Sequence, residues 1–187
     1  MSKKEKLLNA AVDIFSEKGL EKATVSDITA KAGVGKGTFY LYFASKMQVV
    51  PEIADALLQK IMQKSKENIS LDEPFDQKIE KLVDLHFQAT KDYKKILKIC
   101  YSSLAVADEL TKWEKIYEPY YQFITELLED AKAKNEVIST INTKITARLI
   151  VGSIEEAAEQ LYIFNDDLLE IEETKKELID FLRRALQ

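Results

Sequence analysis

The segment from Lys31 to Phe43, KAGVGKGTFYLYF, decides how the first third of this chain folds. It holds three of the five glycines and four of the seventeen aromatic residues in a chain of 187 residues. Glycine allows a tight turn, whereas aromatic side chains supply large areas for packing. The combination therefore predicts a sharp turn followed by a short element that its rings anchor to a core.

Helix signals precede and overlap this segment. Apolar residues at helical spacing predict a first helix, and Gly19 is expected to end it. Thr24-Val-Ser-Asp27 has the form of a capping box, which opens a second helix that ends near Ala32. A third short helix is predicted from residue 36 to residue 43. Two short helices joined by a glycine-containing turn form a helix-turn-helix.

A long helix is predicted to follow the helix-turn-helix. Ser45-Lys-Met-Gln48 is a second capping-box pattern, and helical apolar spacing continues to about Asn68. Pro51 would fall about six residues into this helix, where proline removes a backbone hydrogen bond. A kink is therefore expected at Pro51, in the segment that would have to transmit any signal between the two ends of the helix.

The remainder of the chain is predicted to be helical as well. Further helices are expected at about residues 75–91, 94–107, 109–134, 142–164 and 170–186. The β-branched residues of 137–145 have strand propensity, but no other part of the chain could pair with such a strand, and Asn142 suits a helix N-cap. The expected fold is all-α, with a three-helix helix-turn-helix bundle in residues 1–46 and a larger helical domain in residues 47–187.

Composition restricts the class of function. A single cysteine, Cys100, excludes an internal disulfide and a multi-cysteine metal site. One histidine, one cysteine and no nucleophile signature argue against an enzyme, and no cofactor or metal is expected. There is no apolar run long enough for a membrane span and no signal-peptide pattern at the N-terminus. A cytoplasmic protein is therefore expected.

Charge is distributed unevenly along the chain. Residues 1–46 contain eight lysines and five acidic residues, a balance of +3. The remaining nineteen basic and twenty-seven acidic residues give −8, so that the net charge is −5. A basic head on an acidic body indicates that the head meets a polyanion.

Three interpretations of the glycine-rich segment compete. A phosphate loop would need Ser or Thr directly after Lys36 and a strand before it, and the chain has Gly37 and a helix instead. Phe39 and Phe43 are four residues apart, so they share one helical face, and we expect them to pack against the first two helices. The opposite face is the candidate for binding.

The opposite face fits double-stranded DNA. Tyrosine hydroxyls and Lys36 can contact phosphate oxygens, whereas Thr38 and Leu41 can present apolar groups to thymine in the major groove. Gly37 would let the backbone approach a phosphate closely. The second helix of a helix-turn-helix lies in that groove.

Three segments of the chain strongly resemble the tetracycline-repressor (TetR) family. They are AVDIFSEKG (11–19), TVSDI (24–28) and AGVGKGTFYLYF (32–43), followed by Ser45-Lys46. The resemblance covers about residues 3–60. It implies a homodimeric transcriptional regulator, usually a repressor, that a small ligand releases from its DNA operator. It also implies that residues 47–187 form the ligand-binding and dimerisation domain.

The resemblance also assigns DNA-binding roles by position. Ser26 would touch a phosphate or a base, and Lys46 would bind phosphate with help from the dipole of the long helix. The reading surface would consist of Lys36, Gly37, Thr38, Tyr40, Leu41 and Tyr42.

The last two helices are expected to form the dimer interface. Small residues on the first of them allow another helix to approach closely, and the second carries an apolar stripe. A two-fold protein matches a palindromic site, and the TetR family uses these helices as a four-helix bundle. The predicted interface residues are Gly152, Ala157, Leu161, Leu178 and Leu182. A core within one protomer is the alternative.

A ligand is expected among the middle helices, where aromatic residues recur at spacings of three and four. Pro119 should bend their helix and open a cavity. The predicted lining residues are His86, Cys100, Tyr101, Leu104, Trp113, Tyr117, Tyr120 and Tyr121. A dense aromatic core is the alternative, and for His86 a packing role is as plausible as a ligand contact.

Two ligand classes remain open. Leu85-His-Phe87 with residues 96–104, and Ile150 to Glu156, resemble the TetR subgroup that represses fatty-acid degradation genes and responds to long acyl-coenzyme A. Lys91, Lys94, Lys95 and Lys98 are candidates for the coenzyme phosphates or form a solvated face. The competing class is a cationic aromatic compound held by aromatic rings, with Glu155 or Glu156 as counter-charge. A non-specific architectural DNA-binding protein is the alternative to a ligand-responsive regulator.

Overall fold

The helices account for most of the chain. The structure, a computed structural model, describes residues 1–104, 110–164 and 170–187, with the side chains of 102–104 and 110–112 outside that description. The helices are α1 (Lys3–Lys22), α2 (Val25–Ala32), α3 (Lys36–Tyr40), α4 (Val49–Asn68), α5 (Phe75–Leu104), α6 (Leu110–Ala133), α7 (Thr143–Glu159) and α8 (Ile171–Leu186). There is no strand in the described ranges, and the all-α prediction is confirmed.

The described chain divides into two compact units. Unit 1 contains residues 1–57 and 95–116, and unit 2 contains residues 58–94 and 117–187. The first part of α4 therefore belongs with the helix-turn-helix, as does the last part of α5. The predicted division at residue 46 separates two functions, DNA binding before it and ligand binding and dimerisation after it. It stays a prediction.

The first two helices of unit 1 begin at side-chain caps, and α2 ends at Ala32 as predicted. Two other helix ends differ from the prediction: α1 continues past a kink at Gly19 (φ 75°, ψ 163°) to Lys22, and α3 ends at Tyr40 rather than at residue 43. Thr24 Oγ1 accepts a hydrogen bond from the N–H of Asp27 (3.1 Å), and Asp27 Oδ2 accepts from the N–H of Thr24 (3.0 Å), which completes the predicted capping box of α2. The Lys18 ammonium also donates to Asp27 (2.7 Å), and Lys18 and Thr24 together lower the pKa of Asp27 to about 2. Because the pKa of Asp27 is lower in the folded protein than in the unfolded chain, its ionised carboxylate stabilises the fold at pH values above the unfolded pKa. This stabilisation is lost as the pH falls through about 2.

The start of α4 differs from the prediction. Lys46–Gln48 forms a 3-10 turn, and the Ser45 side chain makes no capping hydrogen bond. Gln48 Oε1 instead accepts from the N–H of Ala44 (2.9 Å). Because α4 begins at Val49, Pro51 lies in its first turn, where backbone N–H groups have no partner within the helix. The physical reason for expecting a kink at Pro51 is thereby removed.

The later helices follow the predicted pattern with shifted ends. The predicted break between residues 91 and 94 appears as a kink inside α5 at Tyr93 (φ −110°, ψ 17°), and α6 continues through Pro119. Asn142 caps α7 by accepting from the N–H of Ile145 (3.1 Å), as predicted. Of the β-branched segment, residues 143–145 enter α7, while residues 137–142 form turns and irregular structure rather than a strand. A π-helical turn, Gln160–Phe164, follows α7.

Candidate nucleic-acid interface and ligand-binding cluster

The segment that follows the turn is fixed to unit 1 by its two phenylalanines. Phe39 is fully buried and Phe43 is 2% exposed, and their ring centroids are 5.3 Å apart. They belong to the same core cluster as Ile14, Phe15 and Ile28 of α1 and α2. The predicted packing of these rings is therefore present, and the segment has a defined inner face.

The outer face of the same segment is open to solvent. Tyr40 is 57% exposed, Leu41 is 81% exposed and Tyr42 is 44% exposed. In the part of the chain that the structure describes, neither tyrosine hydroxyl has a hydrogen-bond partner. Exposed positions are also occupied by Ser26, Lys36 and Gly37, while Thr38 is half-buried. The arrangement leaves hydroxyls, one ammonium and apolar edges available to a partner.

Half of the lysines in residues 1–46 are already engaged within the protein. Lys4 pairs with Glu52 (2.6 Å) and Lys18 pairs with Asp27 (2.7 Å). Lys31 pairs with Glu17 (3.0 Å) and Asp13 (3.3 Å), and Lys46 contacts carbonyl groups. Among the described residues, Lys3, Lys6, Lys22 and Lys36 have no such partner, so they carry the positive charge that a polyanion would meet.

Lys46 has a different set of partners from the one that the resemblance implies. Its ammonium donates to the carbonyls of Leu20 (2.6 Å), Glu21 (2.8 Å) and Ala23 (2.8 Å). These carbonyls lie at the C-terminal end of α1, where helix carbonyls lack partners. All three of its N–H groups can be satisfied there, so a phosphate contact would require Lys46 to leave these carbonyls.

A second group of predicted site residues comes together in unit 2. The hydroxyl of Tyr120 lies 3.1 Å from His86 Nδ1, and the hydroxyl of Tyr117 donates to Glu155 Oε1 (2.9 Å). Burial raises the pKa of the Tyr120 hydroxyl above its ordinary value. The rings of Tyr117 and Tyr121 are 5.6 Å apart. We call His86, Tyr117, Tyr120, Tyr121 and Glu155 the polar cluster.

One atom of the polar cluster is buried without a partner. His86 is 2% exposed, and its Nε2 makes no hydrogen bond in the described structure. Oε1 of Glu155 lies 3.8 Å from this nitrogen, beyond hydrogen-bonding distance. An unsatisfied buried polar atom is costly and calls for an explanation, such as a ligand or water. His86 is therefore the residue of this cluster that points most directly to a ligand.

The other predicted ligand residues are placed in unit 1. Cys100 is buried in the core cluster that contains Phe39, and Trp113 packs against that cluster. Burial raises the pKa of the Cys100 thiol to about 12, so the thiol stays protonated and unreactive. Tyr101 is 37% exposed, and the side chain of Leu104 lies outside the described residues. Among the predicted residues whose side chains the structure describes, His86, Tyr117, Tyr120 and Tyr121 share the polar cluster.

Sequence reasoning missed one residue beside this cluster. The Arg148 guanidinium lies 4.4 Å from the ring centroid of Tyr121, a cation–π contact, and its Nη2 is 3.3 Å from Glu118. Arg148 precedes Glu155 by seven residues on α7, a spacing that puts both on one helical face. That spacing was the signal that could have identified it.

The predicted dimer residues divide into two groups. Gly152 is exposed and Ala157 is half-buried. Leu161, Leu178 and Leu182 are 5%, 8% and 3% exposed, so they fill the core of their own protomer rather than a free surface. The apolar stripe of α8 faces inward because an amphipathic helix buries its apolar side against whatever packs on it first.

Other apolar residues of α7 and α8 are exposed. On α7, Ile145 is 57% exposed and Leu149 is 64% exposed, at spacings that continue to Gly152. On α8, Phe181 is 54% exposed. We call Ile145, Leu149, Gly152 and Phe181 the α7–α8 face. Ile145 and Leu149 are four residues apart and so share one side of α7, and exposed large apolar groups on one side of a helix are a candidate interaction surface.

Comparison with known proteins identifies the family. Residues 7–53 match the model of bacterial regulatory proteins of the tetR family, and residues 79–186 match the model of the tetracyclin repressor-like C-terminal domain. The chain belongs to the TetR family. This TetR-family chain is a transcriptional regulator and not an enzyme. In the described ranges, none of its helices has the length and apolar character needed to cross a membrane.

Similar proteins cover nearly all of this TetR-family chain. It is 44% identical over 184 residues to the HTH-type transcriptional regulator YvdT of Bacillus subtilis. The match covers 98% of this chain and 95% of that protein. FadR of Bacillus subtilis, solved with stearoyl-CoA, has a TM-score of 0.82 at 20% identity and covers 98% and 99% of the two chains. FadR of Thermus thermophilus, solved with lauroyl-CoA, has a TM-score of 0.74 at 18% identity and covers 96% and 92%. At these identities the two FadR structures establish the shared fold.

Proposed function

We propose that this TetR-family protein binds a palindromic DNA operator as a homodimer, represses transcription there, and leaves the operator when a small amphipathic effector binds. The observation that carries the DNA-binding part is the two-sided segment of residues 36–42. Phe39 and Phe43 hold it on the core, while Tyr40 and Tyr42 turn unpartnered hydroxyls to solvent. Such groups contact phosphates, and neighbouring apolar groups contact base edges.

The α7–α8 face supports the homodimer. Two copies that meet through Leu149 and Phe181 would cover apolar side chains that are more than half exposed in one protomer. A two-fold axis through this face relates two helix-turn-helix segments, as a palindrome requires. To enter successive major grooves, the segments must lie about 34–36 Å apart.

The polar cluster supports the effector site. His86 offers a buried, unsatisfied nitrogen beside Tyr117 and Glu155. The FadR proteins of the same fold were solved with acyl-CoA ligands, and this makes a long acyl-CoA the first effector to test. A cationic aromatic compound is the second, because the Glu155 carboxylate and two tyrosine rings could hold it.

Operator specificity tests the proposed function. A palindromic duplex selected from a random pool should bind at least about 10³-fold more tightly than a scrambled duplex at physiological salt. Fluorescence anisotropy with both duplexes gives the ratio. Equal affinity for the two, with a steep dependence on salt, would instead indicate a non-specific architectural protein.

Thr38→Ala should change sequence preference. Thr38 is the position whose methyl and hydroxyl groups can reach a base edge, and one lost base contact costs about 1–3 kcal/mol at that base pair only. Binding should be measured on a set of operators, each altered at one base pair. A uniform loss on every duplex would make Thr38 a phosphate contact.

Gly37→Ala should separate folding from DNA binding. No atom lies within 4 Å of the position that a Cβ at Gly37 would occupy, so the fold itself does not require glycine there. Alanine in the helix should therefore raise the free energy of unfolding by about 0.5–1 kcal/mol. Operator affinity should fall nonetheless, because the added methyl keeps the backbone away from DNA. Unchanged affinity would show that no close approach occurs at this residue.

Effector identity can be tested on the operator complex. Stearoyl-CoA and tetraphenylphosphonium represent the two classes, and each should be titrated into the protein–operator complex. We expect stearoyl-CoA to release the operator. Release by tetraphenylphosphonium alone, abolished by Glu155→Gln, would assign the effector to the cationic class.

A further inference from the structure

Unit 1 contains a groove whose lining includes no residue of the reading segment, residues 36–42. The last turns of α1 form one wall, and α5 forms the other through Lys95, Lys98 and Ile99. Its volume is about 340 Å³, near the lower end of the range for small-molecule sites. Gly19, with φ +75°, stands on the α1 wall, and no atom lies within 4 Å of the position its Cβ would take. The groove is therefore open at this point.

The floor and the rim of the groove differ in character. Phe15 and Ile99 on the floor are 2% and 6% exposed, and Leu20 is half-buried. Lys95 and Lys98 on the rim are exposed, and the described residues provide no carboxylate partner for either ammonium. Two neighbouring like charges above an apolar floor are a favourable place for an anion with an apolar body.

The acidic residue on the opposite wall does not neutralise this rim. Glu17 lines the groove, but its carboxylate accepts from the Lys31 ammonium at 3.0 Å. The net charge that faces the groove is therefore positive. A cationic occupant is disfavoured, and a purely apolar occupant would leave both ammonium groups without a partner.

We propose that this groove binds an amphipathic carboxylate, with the apolar body on Phe15, Leu20 and Ile99 and the carboxylate between Lys95 and Lys98. The small volume suits a short carboxylate better than a coenzyme A thioester. Lys95 and Lys98 supply charge-assisted hydrogen bonds to the carboxylate oxygens, and these are stronger than bonds between neutral groups.

The position of the groove links its occupant to the reading segment within unit 1. Leu20 lines the groove, and its carbonyl is one of the three that hold the Lys46 ammonium. Lys46 comes three residues after Phe43, which anchors the reading segment. A carboxylate that moves the end of α1 therefore alters the support of that segment, and on the proposed function it changes operator affinity.

Calorimetric titration of the full chain with octanoate tests the site. Octanoate should bind saturably, and the double variant Lys95→Gln/Lys98→Gln should weaken the affinity at least about tenfold. Lys91→Gln is the matched control, because Lys91 is also exposed on α5 but does not line the groove. Octylamine and octanoyl-CoA should be titrated in parallel. The emission of Trp113, which packs against the core cluster containing Ile99, provides a second readout.

Each outcome decides the proposal. It is overturned if octanoate produces no saturable heat, if octylamine binds equally well, or if the double variant retains wild-type affinity. Tighter binding of octanoyl-CoA that depends on the same two lysines would overturn the assignment to a free carboxylate. Operator binding is also measured without octanoate. A failure of the proposed function can therefore be distinguished from a failure of the proposed carboxylate site. Octanoate that binds but leaves operator affinity unchanged would overturn the regulatory link.

Discussion

Leu149→Glu is expected to convert the proposed dimer into monomers. Leu149 is 64% exposed in one protomer and lies between Ile145 and Gly152 along α7, so in the proposed dimer the substitution would bury an unpaired carboxylate between the two copies. An unpaired buried charge costs about 3–5 kcal/mol, which should lower operator affinity at least about 10²-fold. Sedimentation velocity gives the oligomeric state, and fluorescence anisotropy gives the operator affinity.

Leu71→Glu is the matched control for this substitution. Leu71 is also a leucine that is more than half exposed, but it lies in the loop before α5, outside the α7–α8 face. The control should remain dimeric and bind operator normally. A Leu149→Glu protein that sediments as an intact dimer would show that the two copies meet elsewhere.

Lys46→Ala should destabilise the protein more than any other lysine substitution in residues 1–46. The substitution removes three charge-assisted hydrogen bonds to carbonyls at the end of α1. Since hydrogen bonds to charged groups contribute about 1.5–3 kcal/mol, we expect the free energy of unfolding to fall by about that amount. Urea denaturation followed by circular dichroism measures it.

Lys36→Ala is the comparison that separates a structural lysine from a DNA-binding one. Lys36 is exposed and has no partner in the described residues, so its removal should leave stability unchanged. It should weaken binding to all duplexes and reduce the salt slope by about one unit. If Lys46→Ala instead keeps full stability and loses one unit of salt slope, Lys46 binds phosphate after all.

The inner side of the reading segment could be predicted because it depends on local spacing. Phe39 and Phe43 are four residues apart, and a helix of that period has to place both on one face. The capping box at Thr24 could be predicted for the same reason, because Thr24 and Asp27 are three residues apart. Such signals need no knowledge of distant contacts.

The role of Lys46 could not be predicted from local pattern. Its partners are the carbonyls of Leu20, Glu21 and Ala23, more than twenty positions earlier, and a backbone carbonyl is present whatever the residue type. The apolar stripe of α8 was ambiguous for a related reason. An amphipathic helix shows that one side is buried, but its sequence does not tell a core within the protomer from an interface between protomers. The structure resolves this by burying Leu178 and Leu182 while leaving Phe181 exposed.

The polar cluster could be predicted only in part from the sequence. The spacing of Tyr117, Tyr120 and Tyr121 predicted an aromatic helical face. In the structure Tyr120 contacts His86 and Tyr117 contacts Glu155, while the ring of Tyr121 lies 5.6 Å from that of Tyr117. Cys100 and Trp113 were predicted from the sequence to line the same ligand site, but both pack in unit 1. The kink at Tyr93 lies close to the point where α5 passes from unit 2 to unit 1. The residues of α5 after it therefore pack in the core of unit 1.

The central claim is that the outer side of residues 36–42 faces duplex DNA, and tyrosine nitration tests it most directly. In the free protein, tetranitromethane should modify Tyr40 and Tyr42, which are 57% and 44% exposed, and spare Tyr120, which is 1% exposed. Addition of the selected operator, but not of scrambled duplex at physiological salt, should protect Tyr40 and Tyr42. Unchanged nitration of both residues in a saturated operator complex would contradict the account.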